Sequence, residues 1–435
     1  MFYCPTEMMD KIFVSAYACE PGLGSEPGVG WHWILEMCRF AELWVMTRAS
    51  NRPRIEAYLN AHRADHPEYA RLHFVWYDLP RWARFWKHGL HGVRTYYVLW
   101  EMMSNPLVRR TMRENNISRF MHLTYGNVIW NTSRYGERQH FVWGPVGGLE
   151  TIPAEFSRHY GRRERLVELV RRLMVATIRL NPGFRLRCRR ADLILCKTDI
   201  TRQHIPAKYR HKAVLQTDVA VEVSPETGDR GGRRPAADGV ADQLDQLDQS
   251  SSRLELVCVG RMDAWRGFDL AIESVARVRK DLPGVCLTIV GNGSDRPRLE
   301  GIVARFGLED CVKFAGKVET DEYLRLLQEA DAVMNPCLKE GAVTVSFDTM
   351  ALGKPLICVD TTGYTRYFSK EYAEIVPRGS REEVIEGLAQ GIRRVADAGE
   401  RERMGRNAHE AGARFTWRHR GEEIRSLLTE EKQHS

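Results

Sequence analysis

The sequence predicts an α/β protein with two doubly wound parallel sheets, and three observations carry that expectation. Short apolar runs recur along all 435 residues, at 11–18, 43–47, 191–197, 254–259, 285–290, 312–318, 331–337 and 356–359, with helical segments between them. Several runs end in glycine turns, the edge at which open α/β sheets bind ligands. One polar stretch without an aromatic, 224–252, divides the chain into two lengths, each long enough for its own core. The expected division is an amino domain over 1–223, a flexible linker over 224–252, a carboxyl domain over 253–415, and a final helix and tail over 416–435.

Composition narrows the class. Apolar content of 43% and charged content of 28% describe a soluble globular protein. Ten cysteines include no Cys-x-x-Cys pair, and Cys258, Cys286 and Cys358 lie in strand-like runs, so they read as reduced, buried side chains of a cytoplasmic protein. No run has the length of a membrane span, and the amino terminus lacks a basic-then-apolar signal. The net charge is +7, yet 158–190 alone holds 11 arginines against Glu164 and Glu168. An anionic partner is therefore expected.

In chain order, the first strand leads into a loop over 19–31 whose Gly22, Gly24, Gly28 and Gly30 let backbone approach a ligand closely. A dinucleotide fingerprint would place a third glycine where Pro27 stands, and an acid where the second strand ends in Arg48. A nicotinamide cofactor is thus disfavoured, and Arg48 leaves only an NADP reading open. The stretch 81–100 mixes Trp82, Phe85, Trp86, Tyr96, Tyr97 and Trp100 with basic residues, as interfacial helices do; an ordinary core helix with a solvated face reads equally well. His122 stands beside a strand end in 120–127, and 141–148 is a further strand-to-glycine loop with Gly144, Gly147 and Gly148. An arginine-rich helix is expected over 162–180.

The second domain opens with a strand and then Arg261 and Arg266, two cations straddling a strand-to-helix loop that suit a diphosphate. Gly291 and Gly316 close the next two strands. The densest signal is 331–360: a strand, Glu340-Gly341, a helix from about 342 to 352, Gly353 as a left-handed helix stop, Pro355, and a second strand. Glu340 and Asp348 then lie about 12 Å apart along the helix, with free N–H groups and a positive dipole end between them.

That segment resembles the Glu-x7-Glu region of retaining, family 4 glycosyltransferases of the GT-B fold, with Asp348 in place of the second Glu. The wording of 11–31 and 141–148 is similar to a bacterial, cell-envelope subgroup of the same enzymes. The resemblance implies two Rossmann-like domains facing a central cleft, the last helix crossing back to the first domain, and hexose transfer from a nucleotide diphosphate sugar such as a UDP- or GDP-hexose. Glu340 would hold the donor sugar, and His122 would sit beside its anomeric region. Asp348 would take the ribose, with Gly341, Ala342, Val343, Gly28, Gly30, Gly291 and Gly316 lining the donor. Arg261 and Arg266, the latter in place of a family Lys, would neutralise the leaving diphosphate. Gly144, Gly147 and Gly148 would line the acceptor side. The absence of any Asp-x-Asp predicts a metal-independent reaction without a cofactor. The aromatic and arginine-rich stretches favour a lipid-linked glycan acceptor at the inner face of the membrane, with peripheral contact to anionic lipid. Two rivals remain: a non-catalytic relative that binds sugar nucleotides or a partner subunit, and a nucleic-acid binder, for which no motif accompanies the charge.

Overall fold

A computed structural model of the protein describes residues 9–87, 92–129, 139–221, 253–339, 344–360 and 364–433. The chain divides into two units. Unit 1 takes Met1–Leu149, Val175–Asp218 and Trp417–Ser435; unit 2 takes Glu150–Met174 and Val219–Thr416. The helices that position functional side chains are α1 (Ser25–Met37), α2 (Val93–Met103), α3 (Arg162–Ala176), α4 (Phe268–Val278), α5 (Thr320–Glu329), α6 (Thr344–Ala351) and α7 (Trp417–Gln433).

Unit 1 is a seven-stranded sheet of β1 (Asp10–Ser15), β2 (Ala41–Thr47), β3 (Leu72–Trp76), β4 (Arg119–His122), β5 (His140–Val146), β6 (Leu193–Cys196) and β7 (Ala213–Leu215). The order is β3-β2-β1-β4-β5-β6-β7 and each pairing is parallel. The order reverses between β1 and β4, which makes that crevice the switch point where such sheets take ligands. Phe13, Trp100, Phe120 and Trp143 are fully buried around it. Helix α7 packs on α1: the rings of His32 and Trp417 stack at 4.9 Å, and Arg119 donates to the Leu428 carbonyl at 3.3 Å.

Unit 2 carries β8 (Leu254–Val259), β9 (Val285–Val290), β10 (Val312–Gly316), β11 (Ala332–Asn335), β12 (Leu356–Val359) and β13 (Ala373–Val376) in the order β10-β9-β8-β11-β12-β13, again all parallel. Its switch point lies between β8 and β11. The segment Glu150–Met174 belongs to this unit because Ile152, Phe156 and Tyr160 insert into the core of Leu256, Met262 and Phe268.

Three local expectations change. The stretch 19–31 is not a loop throughout: α1 starts at Ser25, with Pro27 in its first turn, where a missing N–H costs nothing. Gly28 and Gly30 are thus helical. A Cβ on Gly30 would fall 2.2 Å from the Ala18 carbonyl oxygen, so this glycine lets α1 lie against the end of β1. The stretch 81–100 is two helices rather than one, Arg81–Arg84 and α2, and α2 turns Tyr96, Tyr97 and Trp100 into the core. The arginine-rich helix ends at Ala176, with a short 3₁₀ turn at Ile178–Leu180 after it. Gly353 adopts φ +58°, the left-handed stop its position predicts, and the Lys354 N–H bonds back to the Thr349 carbonyl at 2.8 Å.

Candidate functional site

At the carboxyl edge of unit 2 the loops after β8 and β11 interlock through backbone. The Leu338 N–H donates to the Trp265 carbonyl at 2.9 Å, and a Cβ on Gly267 would fall 2.2 Å from the Pro336 carbonyl oxygen. This packing brings Arg266 and Lys339 to one edge. The Arg266 guanidinium stacks 4.5 Å over the Trp265 ring, and its Nε lies 3.4 Å from where a Gly260 Cβ would stand. Lys339 sits 5.3 Å over the same ring and pairs with the Glu168 carboxylate from α3. Burial, followed by the charge of Arg171, lowers the Lys339 pKa, and Glu168 opposes that. Arg261 is exposed, and its fork closes on Asp263 at 2.8 and 2.5 Å. Glu340, Gly341, Ala342 and Val343 lie outside the described residues.

Asp348, on α6, accepts a bond of 2.5 Å from the Tyr323 hydroxyl of α5. Burial and the neighbouring carboxylate hold that phenol protonated, well above its ordinary range. The Asn335 side-chain amide donates to Ser346 Oγ at 2.8 Å, tying the end of β11 to α6. Gly291 lies against the β8 turn: a Cβ there would fall 2.0 Å from the Gly260 carbonyl oxygen. Gly316 closes β10.

The edge of unit 1 has a different chemistry. His122 ends β4 and is 1% exposed. Its Nε2 lies 2.6 Å from the Tyr97 hydroxyl and 3.8 Å from Glu101, which accepts from Ser15 Oγ at 2.7 Å. Among the described residues His122 Nδ1 is buried without a hydrogen-bond partner. Burial, then the charge of Arg187, pushes the His122 pKa down to about 3, so the ring is neutral at ordinary pH. It is set to exchange hydrogen bonds rather than to carry charge. Arg187 stacks 5.3 Å over Trp143 and donates to the Val128 carbonyl at 2.8 Å. Gly144 lies within β5, Gly147 follows its end against Lys197, and Gly148 lies against the Asn127 amide.

Sequence reasoning missed Glu168, Tyr323, Tyr97 and Glu101. Each meets its partner across 21 or more residues of chain. A groove of about 400 Å³ lies elsewhere in unit 1, between α7 and the carboxyl end of α1, lined by Glu36, Arg39, Glu68, Arg418 and Arg425 among others.

Residues 241–411 match the family described as glycosyl transferases, group 1. The match supports glycosyltransferase character for unit 2. D-inositol 3-phosphate glycosyltransferase of Stackebrandtia nassauensis is 28% identical over 188 residues, covering 41% of this chain and 42% of that protein. A GDP-mannose-dependent α-(1-6)-phosphatidylinositol monomannoside mannosyltransferase of Mycobacterium tuberculosis is 29% identical over 153 residues, 34% of this chain and 37% of that one. These alignments span less than half of either relative. The fold extends further. Anabaena HepE, solved with UDP, matches with a TM-score of 0.57 at 14% identity, covering 97% of this chain and 100% of that one. The two Rossmann-like sheets match the GT-B fold of that structure.

Proposed function

We propose that the protein is a retaining, family 4 hexosyltransferase of envelope polysaccharide synthesis. It moves a hexose from a nucleotide diphosphate sugar to a hydroxyl of a lipid-linked glycan at the inner membrane face. The observation that carries this reading is the interlock of the β8 and β11 loops. It fixes Arg266 beside the segment that runs into Glu340, at the switch point of the sheet that matches group 1 glycosyltransferases. Arg266 and Arg261 neutralise the leaving diphosphate, Glu340 holds the donor sugar, and Asp348, steadied by Tyr323, faces the ribose. His122 offers a neutral hydrogen-bonding ring from unit 1. The donor class is supported by the GDP-mannose dependence of the mycobacterial relative and by the UDP bound in the HepE structure.

Helix α3 supports the lipid acceptor. At about 100° per residue, its Glu168 and Val175 form one narrow face, and both are buried. Leu166, Val167, Leu169, Val170, Leu173 and Met174 fan over roughly 160° of the opposite side, all exposed, with Leu173 at 65%. Arg165 borders that face, and Arg162 and Arg163 lie within it at the amino end of the helix. In unit 1, Trp82 and Phe85 are also exposed, at 71% and 75%. Apolar stripes with basic borders fit an anionic bilayer surface. Among the described residues no helix is long and apolar enough to cross a membrane.

The test is release of nucleoside diphosphate from UDP- and GDP-hexoses, with and without EDTA, alongside flotation on anionic vesicles. Turnover in EDTA and salt-sensitive flotation, both expected, support the reading. Melting raised by UDP without any turnover would favour the non-catalytic sugar-nucleotide binder. A wild-type protein that stays off anionic vesicles at low salt would point to a soluble acceptor.

A further inference from the structure

The switch point of unit 1 holds two polar groups that the roles above leave unused. Arg48 follows β2, and its guanidinium lies 5.0 Å over the Tyr17 ring just past the end of β1. Among the described residues Arg48 meets no carboxylate, and its Nε is buried without a hydrogen-bond partner. The Tyr17 hydroxyl is a second buried donor without a partner, on a side chain only 2% exposed. The acids nearby are engaged elsewhere. Asp78 accepts from the Tyr96 hydroxyl at 3.2 Å and lies 3.9 Å from Arg84; Glu20 is bonded to Arg54 at 2.9 Å; Glu26 accepts from the Tyr125 N–H at 2.7 Å.

Leaving such donors buried and unmatched costs about 1–3 kcal/mol each, so a folded chain that keeps two on one stacked pair of side chains calls for an explanation. The surroundings narrow the choice of ligand. Tyr97, Trp100 and Tyr125 pack edge-on against Tyr17 with centroids 5.4, 5.3 and 4.9 Å away, an apolar surround for the stacked Arg48–Tyr17 pair. A guanidinium fork is matched in shape by a phosphate, and a protonated phenol adds a third N–H or O–H to the same oxyanion.

We propose that Arg48 and Tyr17 form a phosphate-binding subsite of unit 1 that takes the phosphate group of the acceptor. The inference rests on the reading of unit 1 as the acceptor side. The phosphate belongs either to a lipid-linked acceptor or to a soluble sugar phosphate, and both present the same oxyanion. Tyr17 acts as donor only, since burial holds its hydroxyl protonated even against the opposing pull of Arg48.

The test is equilibrium binding, followed by the protein's tyrosine and tryptophan fluorescence. The probes are a short prenyl phosphate in neutral detergent micelles and glucose 1-phosphate in buffer. Arg48→Gln, Arg48→Lys and Tyr17→Phe are compared with the wild type, each first shown to melt like it. Arg266→Gln controls for capture of the probe in unit 2. Losing the forked charge should weaken phosphate binding about 10- to 100-fold in Arg48→Gln, with Arg48→Lys intermediate and Tyr17→Phe losing about 3- to 10-fold. Arg266→Gln should lose only what unit 2 captures and keep the Arg48-dependent binding. Tight binding of the prenyl probe alone assigns the site to a lipid acceptor, and of glucose 1-phosphate alone to a soluble one; either supports the subsite. Equal binding by wild type and Arg48→Gln overturns it, as does loss confined to Arg266→Gln. Because the readout is binding, a chain that holds phosphate through Arg48 yet transfers no sugar would sink the transferase reading and leave the subsite standing. Active transfer with phosphate binding indifferent to Arg48 would do the reverse.

Discussion

The two sheets share a topology and differ in how they treat charge at the switch point. In unit 1, His122, Glu101 and Arg187 are sealed inside, and the histidine is forced neutral. In unit 2, the charged groups are paired or half open: Arg261 with Asp263, Lys339 with Glu168, Asp348 with Tyr323. The same strand order thus yields a desolvated hydrogen-bonding edge in one case and an electrostatic one in the other. Stabilising a departing diphosphate calls for the second kind, and orienting a neutral sugar hydroxyl for the first.

The sharpest way to break this contrast is to unpair Lys339. Glu168→Gln or Lys339→Met alone should lower the stability of unit 2 by about 3 kcal/mol, while the double variant recovers most of it. Urea unfolding of the four proteins of that cycle would measure it, and additive losses would show that the two groups do not act as a pair. Next comes Glu340→Gln, expected to cut turnover by about 100-fold, or roughly 2.7 kcal/mol, with an unchanged melting curve. Wild-type turnover in that variant would remove the acid from the mechanism.

For unit 1 the contrast is sharpened by pH. The folded His122 takes up its proton only near pH 3, whereas the unfolded ring does so near 6.5. Between those values the unfolded chain binds more protons, so stability is full above 6.5 and falls as pH drops, with a slope approaching about 1.4 kcal/mol per unit. His122→Gln should flatten that part of the stability–pH curve; an unaltered slope would locate the acid sensitivity elsewhere. The smallest effect is expected from Tyr323→Phe, which leaves Asp348 without its phenol donor at a cost of about 1 kcal/mol. Melting with and without UDP reads it: the variant should gain less from the nucleotide than the wild type does.

Much of this was legible before any coordinates. Strands β8, β9 and β12 fall at the residues their apolar runs mark, because the strands of a parallel sheet covered by helices are largely apolar. Gly353 and Pro355 punctuate α6 and β12 as local chemistry requires. The sequence misled at 19–31, where four glycines suggest an open loop. In fact Gly30 is there so that a helix can lie against a strand, a requirement set by a backbone neighbour twelve residues earlier. The environments of His122, Asp348 and Lys339 were not legible either. Each depends on a partner from another element, and no local pattern marks Tyr97, Tyr323 or Glu168 for that task.

The path of the chain between the units bears on how the protein is made. Unit 1 begins at the amino end, yet it also uses Val175–Asp218 and is closed by Trp417–Ser435, whereas unit 2 is complete at Thr416. On a ribosome the unit whose strands emerge first is therefore the last whose parts are all present. Until residues past 417 are synthesised, the α1 surface around His32 waits uncovered for Trp417. A premature stop codon in the last few dozen positions would thus leave the glycosyltransferase-like unit whole and damage the amino-terminal one, some four hundred residues upstream.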